Sequence, residues 1–402
     1  MKKVKYNFKK APWFFVILVS ILFFICGFFV YKWRQSQTSL SQIKTDYQIL
    51  LDLKNKLNTS LASASGEINL LKSDDQFIKN NQLQKEIKDI KTSFSKAVKV
   101  YEDIVDLRDS KVRVSTFEPL FSLVLSDLSQ FKYNESLSKI ATLSAKIAIE
   151  RQKSLATVGS INIDNVTQNN VPPNSGFSRQ KVKVGDNFFI VDIIAADLNS
   201  TKIIVDTASD NDCSDNCPVL PLATYVSRNN AFAGINGSYF CPASYPSCAT
   251  KKNSFDTLLM NKNKKYFNSD NNVYSTVPAV IFSGNSARFV TQSLQWGRDT
   301  GVDSVLANYP LLVFNSNLAT GDSSDTKLSA SGNRSFIANK GSTVYIGVVR
   351  GVSVVGAAKV LVEMKMDNAL NLDSGGSTAL WSGGYKYGPG RDIPNAILFV
   401  RK

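Results

Sequence analysis

Apolar and polar positions follow three successive patterns along the 402-residue chain. Residues 11–31 form an uncharged apolar run, and apolar residues between 43 and 104 recur three or four positions apart. Beyond residue 177, short runs of β-favouring residues alternate with loops. These patterns predict, in order, a membrane-length helix, amphipathic helices and a β-rich domain.

The first pattern predicts a membrane anchor. At about 1.5 Å per residue, residues 11–31 are long enough to cross a bilayer core of about 30 Å. Five lysines precede the run and only Lys32 and Arg34 follow it, which predicts a cytoplasmic N-terminus and an extracellular remainder. A cleaved signal peptide is the alternative, but the run is long for one and no small-x-small site follows at residues 33–37. Residues 1–34 are therefore predicted to be a basic tail and an uncleaved anchor.

The second pattern predicts a helical stalk over residues 35–153. The apolar spacing fits amphipathic helices, but it does not keep one heptad register, which favours a helical hairpin or small bundle over one long coiled-coil rod. The Ser-Ala-Ser-Gly stretch at 63–66 and Pro119 predict breaks. The predicted helical segments are 43–61, 83–104, 120–131 and 137–147.

The third pattern predicts an α+β fold for the distal part. Residues 154–176 have the Ser, Thr, Asn and Pro content of a linker, so a β-rich domain flanked by helices is expected over 177–402. Its predicted strands are 188–194, 202–206, 279–282, 309–314, 343–349 and 396–400, and its predicted helices are 222–228 and 354–366.

Charge does not indicate a nucleic-acid partner. The net charge is +14, but residues 1–34 alone contribute seven basic residues and no acid. The remaining excess is spread over a long chain, so no basic domain is left to bind DNA or RNA. The chain also has no histidine, which excludes a Ser-His-Asp triad and removes the commonest transition-metal ligand.

Cysteine placement agrees with export of the distal domain. Cys26 lies in the anchor, whereas Cys213, Cys217, Cys241 and Cys248 lie close together in the distal domain. Two disulfides are predicted, with three pairings open. A zinc site is the alternative, but the separation between Cys241 and Cys248 is wide for a pair of zinc ligands.

A polar stretch near the first cysteines bears on cofactors. Asp210, Asp212 and Asp215 are interpreted as part of a surface loop, and the glycine and glutamate of an EF-hand are missing. A structural calcium ion at a site of another type stays open. No metal or other cofactor is otherwise predicted.

Four short runs carry the chemistry of the distal domain. The densest is 371–378, where an apolar approach, Asp373, two glycines and three hydroxyl residues predict a strand end that opens into a ligand loop. The run 233–240 is glycine-containing, and 331–335 and 390–396 each add one arginine. Two guanidinium groups, carboxamides and one acid would suit a phosphorylated carbohydrate.

These four runs, G-I-N-G-S-Y-F, G-N-R-S, N-L-D-S-G-G-S-T and R-D-I-P-N-A-I, occur in an order that resembles the phosphodiester glycosidase family. The resemblance covers about residues 180–401 and implies cleavage between a sugar C1 and a phosphodiester oxygen, without a cofactor. Ser238 and Ser374 stand where glycine is common in that family, so sugar preference could differ.

The resemblance also implies the site residues. Asp373 is expected to attack C1 or stabilise an oxocarbenium ion, or to act as a general base in an inverting enzyme. Arg334 and Arg391 are expected to hold the phosphate and stabilise its departing charge. Asn236, Asn371 and Asn395 are expected to orient sugar hydroxyls or an acetamido group. The predicted catalytic residues are Asp373, Arg334 and Asn236, and the predicted substrate-binding residues are Gly237, Asn371, Gly375, Gly376, Ser377, Arg391 and Asn395.

Two other functions fit parts of the sequence. A non-catalytic glycan-binding module on a stalk would keep the arginines and asparagines but would not need the acid. A scaffold acting through its helices would not need residues 177–402. The predicted partners are a phosphorylated carbohydrate in a cell-surface glycan or polysaccharide, the membrane, and a second copy through the stalk.

Overall fold

The computed structural model describes residues 11–73, 75–109, 112–158, 165–268, 275–321 and 325–402. The chain divides into two compact units, one ending at Lys88 and one running from Asp89 to Lys402. Helices precede a domain rich in strands, which confirms the predicted α+β class.

The helices of the described residues are α1 (Ala11–Ser73), α2 (Asp75–Asp109), α3 (Glu118–Ser129), α4 (Tyr133–Val158), α5 (Leu222–Arg228), α6 (Thr326–Ser329) and α7 (Val354–Glu363). The strands of the described residues are β1 (Gly176–Val184), β2 (Asn187–Asp197), β3 (Thr201–Thr207), β4 (Ala233–Asn236), β5 (Leu259–Met260), β6 (Tyr266–Phe267), β7 (Ala279–Ser283), β8 (Ser286–Val290), β9 (Ser304–Ala307), β10 (Leu311–Phe314), β11 (Asn317–Leu318), β12 (Gly332–Lys340), β13 (Thr343–Val352), β14 (Asn368–Asn371), β15 (Leu380–Ser382), β16 (Tyr385–Tyr387) and β17 (Asn395–Arg401).

The first unit is dominated by α1. This helix is long and apolar enough near its start to cross a membrane, judged by length and composition. The predicted break at 63–66 is wrong, because α1 continues through Gly66 to Ser73. One glycine in a helix costs only about 1 kcal/mol relative to alanine, and the flanking residues are compatible with a helix.

The second unit begins with a small helical bundle. Ala97, Val100 and Ile104 of α2 pack on Val124 of α3 and Leu143 of α4 in a common apolar core. Pro119 lies in the first turn of α3, where a proline is tolerated because the N–H it lacks would have no helical partner. The helix α4 extends to Val158, past the start of the predicted linker.

In the described part of the chain that follows the bundle, the strands form three antiparallel sheets. One has the strand order β1-β2-β13-β12-β14-β10-β11, the second β16-β15-β4-β17-β3, and the third β6-β5-β9-β7-β8. Apolar side chains from all three sheets share one buried core, which includes Ile194, Ile235, Leu306 and Leu370. The helix α7 covers the opposite face of the first sheet through residues such as Ala357 and Leu361.

The disulfide prediction is confirmed and its pairing is now defined. Cys213 is bonded to Cys217, and Cys241 to Cys248. The second bond closes a loop that packs against Val105 of α2. Because all four sulfurs form disulfides, the zinc alternative is excluded.

Candidate active site

The candidate site lies where β4 and β14, strands of two different sheets, both end. The backbone N–H of Asp373, two residues after β14, donates to the carbonyl of Gly237, just after β4, at 3.0 Å. The Nδ2 of Asn236 donates to the carbonyl of Asp373 at 2.6 Å. These bonds hold the acidic loop against the end of β4, so the position of Asp373 is fixed by both sheets.

The residues of the predicted site separate into a cavity wall and a supporting layer. A cavity of about 260 Å³ is lined by Asp373, Arg334, Arg391, Gly375 and Ser377, so both predicted arginines reach the same space as the acid. In the part of the chain that the structure describes, the other predicted residues do not line it. The supporting residues are Asn236, Gly237, Asn371, Gly376 and Asn395.

Asp373 is the half-buried acid of this cavity. Its Oδ1 accepts from the N–H of Ser374 at 2.9 Å, and Ser377 also hydrogen-bonds its side chain. Burial raises the pKa of Asp373 to about 6, against the lowering effects of Ser377 and Arg391. The carboxyl group therefore changes its charge close to neutral pH, which suits a group that takes part in chemistry.

Arg334 is held from behind by backbone carbonyls. Its Nε donates to Val352 at 3.2 Å and its Nη2 to Lys327 at 2.8 Å and to Ala330. Burial lowers the pKa of the Arg334 guanidinium from its usual value, although an arginine remains protonated. The carbonyls fix the orientation of the group without neutralising its charge.

Arg391 is paired with acids of α2. Its Nη2 lies 2.6 Å from Asp106 Oδ1 and 3.1 Å from Asp109 Oδ2. The hydroxyl of Tyr245 donates to the same oxygen of Asp106. Burial alone would lower the pKa of Arg391, but Asp106 and the other neighbouring anions outweigh it and raise the pKa. With one cation and two carboxylates, this group carries one net negative charge.

The carboxamides of Asn236 and Asn395 in the supporting layer are hydrogen-bonded to protein atoms. Asn236 Oδ1 accepts from Ser335 Oγ at 2.9 Å and from the N–H of Ala379 at 3.1 Å. Asn395 Oδ1 accepts from the N–H of Ser238 at 2.9 Å. Both side chains are fully buried, and their bonds join loops rather than face the cavity.

Two glycines are required by close approach. A Cβ on Gly237 would lie 1.7 Å from Asn395 Oδ1, and one on Gly376 would lie 2.3 Å from Arg391 Nη2. Neither space admits a side chain, because these contacts are far inside van der Waals distance. Gly376 therefore lets the guanidinium of Arg391 lie directly against the backbone of the acidic loop.

The sequence interpretation missed the helical contribution to the cavity. Asp103 and Asp106 of α2 and Arg151 of α4 all line it, and Arg151 Nη2 lies 3.4 Å from Asp103 Oδ1. Asp103, Asp106 and Asp109 are spaced three residues apart, which places them on one helix face. That spacing was visible in the sequence, but nothing local indicated which surface the face would meet.

No group of three or more His, Cys, Asp or Glu side chains suited to a metal is present among the described residues. Asp212 and Asp215, two of the three aspartates considered for calcium, accept hydrogen bonds from backbone N–H groups. Asp212 Oδ1 accepts from the N–H groups of Cys213 and Asn268, each at 2.9 Å. Asp215 Oδ1 accepts from the N–H of Lys252 at 2.7 Å.

Comparison with known proteins agrees with the motif resemblance. Residues 229–400 match the model of the phosphodiester glycosidase family. A catalytic domain of zebrafish N-acetylglucosamine-1-phosphodiester α-N-acetylglucosaminidase, auto-inhibited by its pro-peptide, is 13% identical with a TM-score of 0.45; the match covers 59% of this chain and 87% of that one. A hypothetical protein from Synechocystis is 13% identical with a TM-score of 0.40, covering 56% of this chain and 62% of that one. No curated protein matches.

Proposed function

We propose that the protein is a hydrolase that cleaves the bond between a sugar C1 and the oxygen of a phosphodiester, because residues 229–400 match the model of the phosphodiester glycosidase family. Its products are the free sugar and a phosphomonoester. The observation that carries the proposal is the meeting of Asp373, Arg334 and Arg391 at one cavity. The substrate class is a sugar-1-phosphodiester, with a GlcNAc-1-phosphodiester as the first compound to test.

Asp373 acts at C1 in this proposal. As a carboxylate it attacks C1 or stabilises the oxocarbenium ion; in the inverting variant it removes a proton from the attacking water. The electron pair of the broken C1–O bond passes to the phosphate, and water supplies the hydroxyl group of the released sugar. A phosphate is a good leaving group, so this step needs little help from a general acid.

Arg334 holds the departing phosphate. Its Nε and Nη2 are bound to backbone carbonyls, which leaves Nη1 as the donor for a phosphate oxygen. A fixed guanidinium needs little reorganisation as negative charge develops, so it stabilises the transition state more than a mobile one would. Asn236, Asn371 and Asn395 support this arrangement from behind the cavity wall.

The apolar N-terminal helix and the disulfides support a proposal for the location of the protein. We propose a single-pass membrane protein with a cytoplasmic N-terminus and an extracellular catalytic domain that acts on a cell-surface glycan or polysaccharide. The two disulfides agree with an oxidising compartment. The exposed apolar residues of α1 beyond the membrane segment would support pairing with a second copy, as the sequence predicts.

The proposal is tested with the purified full-length chain in detergent. It is incubated with GlcNAc-1-phosphate methyl ester, and released GlcNAc and methyl phosphate are quantified in equal amounts. A glycan-binding module would retain the compound without releasing sugar. Binding without turnover would therefore replace the hydrolase proposal with the non-catalytic one.

The pH dependence tests the protonation state of Asp373. Burial raises the pKa of Asp373 to about 6. If Asp373 must be ionised for activity, kcat/KM is expected to fall about tenfold per pH unit below pH 6 and to reach a plateau above pH 6. A carboxyl group that must be protonated predicts the opposite slope above pH 6. A profile of initial rates between pH 4 and 8 distinguishes the two roles.

A further inference from the structure

Tyr239 occupies a fixed position in the wall of the cavity and had no role in the sequence interpretation. Its backbone N–H donates to Asn308 Oδ1 at 3.0 Å, and its ring meets that of Tyr309 edge-on, with centroids 5.0 Å apart. Asn308 is fully buried and its Nδ2 donates to the carbonyl of Asn371 at 2.8 Å. These contacts tie Tyr239 to the end of β14, two residues before Asp373.

The hydrogen-bond direction at the Tyr239 hydroxyl follows from its neighbour. One amide atom of Asn371 lies 2.6 Å from Tyr239 Oη and 3.1 Å from the backbone carbonyl of Tyr309. A carbonyl oxygen only accepts, so that atom must be the nitrogen of Asn371. The nitrogen donates to both oxygens, and Tyr239 Oη is therefore an acceptor in this contact.

The hydrogen of the Tyr239 hydroxyl is consequently left for another acceptor. No hydrogen bond donated by this hydroxyl is found among the described residues, and Tyr239 is half-buried, although a tyrosine hydroxyl inside a protein usually has an acceptor. Tyr239 lines the cavity together with Asp373 and Arg334. The acceptor that completes this bond is thus expected to come from a molecule in the cavity.

The hydroxyl is suited to donate a hydrogen bond rather than to give up its proton. Burial raises the pKa of Tyr239, and the nearby charge of Asp373 raises it further. The phenol therefore stays neutral throughout the reaction. A neutral donor strengthens its bond as an acceptor oxygen gains negative charge, which is how an oxyanion-hole donor acts.

We propose that Tyr239 is a further catalytic residue, whose hydroxyl donates a hydrogen bond to the oxygen that leaves the sugar C1. The inference rests on the proposed hydrolase function. When the C1–O bond breaks, its electron pair passes to that oxygen. The oxygen joins C1, where Asp373 is proposed to act, to the phosphate that Arg334 is proposed to hold. Tyr239 lines the cavity with both and keeps its own proton.

The test is Tyr239→Phe, which keeps the ring and removes the hydroxyl. The wild type and the variant are compared on two esters of GlcNAc-1-phosphate, methyl and 4-nitrophenyl, whose leaving phosphates differ in basicity. We expect kcat to fall by roughly 100-fold on the methyl ester, a loss typical of one oxyanion donor. The loss should be several-fold smaller on the 4-nitrophenyl ester, because its leaving oxygen needs less stabilisation.

A purely structural role would give a different result. Removing the hydroxyl also leaves the Asn371 amide without one acceptor, which lowers stability and affects both esters alike. Thermal unfolding measures this loss of stability. The control is Tyr345→Phe, which removes a hydroxyl from a tyrosine in the buried core, away from the cavity. If kcat of Tyr239→Phe is unchanged, or falls equally on both esters, the catalytic role of Tyr239 is overturned. Turnover by the wild type would still support the proposed hydrolase function. A wild type without turnover overturns both.

Discussion

Replacing Asp373 by asparagine is expected to lower kcat on a sugar-1-phosphodiester by roughly 1,000-fold or more, about 4 kcal/mol in activation free energy. The amide keeps the size of the side chain but cannot attack C1, carry a full negative charge or remove a proton from water. The measurement is sugar release by Asp373→Asn and by the wild type at pH 7.

The same substitution should leave the fold intact. Burial raises the pKa of Asp373 from 3.8 to about 6, so this group favours the folded state below pH 4 and loses that contribution as pH rises through 6. At pH 7 the ionised carboxylate is therefore unfavourable for folding, and a neutral amide relieves that cost. We expect a Tm at pH 7 equal to or above that of the wild type.

A matched control is Asp186→Asn, in the exposed turn between β1 and β2. It removes one carboxylate from the same domain at a distance from the cavity, and kcat should stay within about twofold of the wild type, since exposed substitutions rarely matter. An Asp373→Asn protein that folds and keeps full turnover would show that the acid only supports its loop.

The fold of the distal domain could be predicted from local pattern to a large extent. The helix predicted over 222–228 is α5 with the same bounds, and the strand predicted over 343–349 is the first part of β13. The β-branched residues dense in 343–349 specify that strand locally. The break predicted at 63–66 failed because a single glycine and small residues do not outweigh the helix preference of their neighbours.

The site could be predicted only in part, for a physical reason. Asp373, Arg334 and Arg391 were identifiable because each lies in a short run with its own loop chemistry. The partners of Arg391 lie 282 and 285 residues earlier, at Asp109 and Asp106. No local pattern encodes such a contact, which exists only because α2 packs against the disulfide loop through Val105.

The packing of α2 against the disulfide loop also affects substrate binding, because it places two acids of α2 beside Arg391. Asp106 and Asp109 occupy Nη2 of Arg391, and their two charges leave this part of the cavity net negative. A phosphodiester anion therefore meets repulsion at the arginine predicted to bind it. At an effective dielectric constant of about 20, two unit charges about 4 Å apart interact by roughly 4 kcal/mol.

The double variant Asp106→Asn/Asp109→Asn is accordingly expected to lower KM for the phosphodiester by about 10-fold to 100-fold, less than the unscreened interaction because solvent and salt reduce it. Methyl phosphate, the product, should inhibit the variant at correspondingly lower concentration. Both constants are measured at low and at high salt, and the difference between variant and wild type should shrink as salt increases.

Glu86→Gln provides the control, because Glu86 is an exposed carboxylate on α2 that is absent from the cavity wall. It should change KM by less than about twofold, as exposed charges contribute little. If the double variant instead raises KM or loses turnover, then Asp106 and Asp109 act by orienting Arg391 toward the substrate. In that case α2 contributes residues to the active site. Asp106 and Asp109 would then affect activity mainly by positioning the guanidinium of Arg391, and less by repelling the substrate.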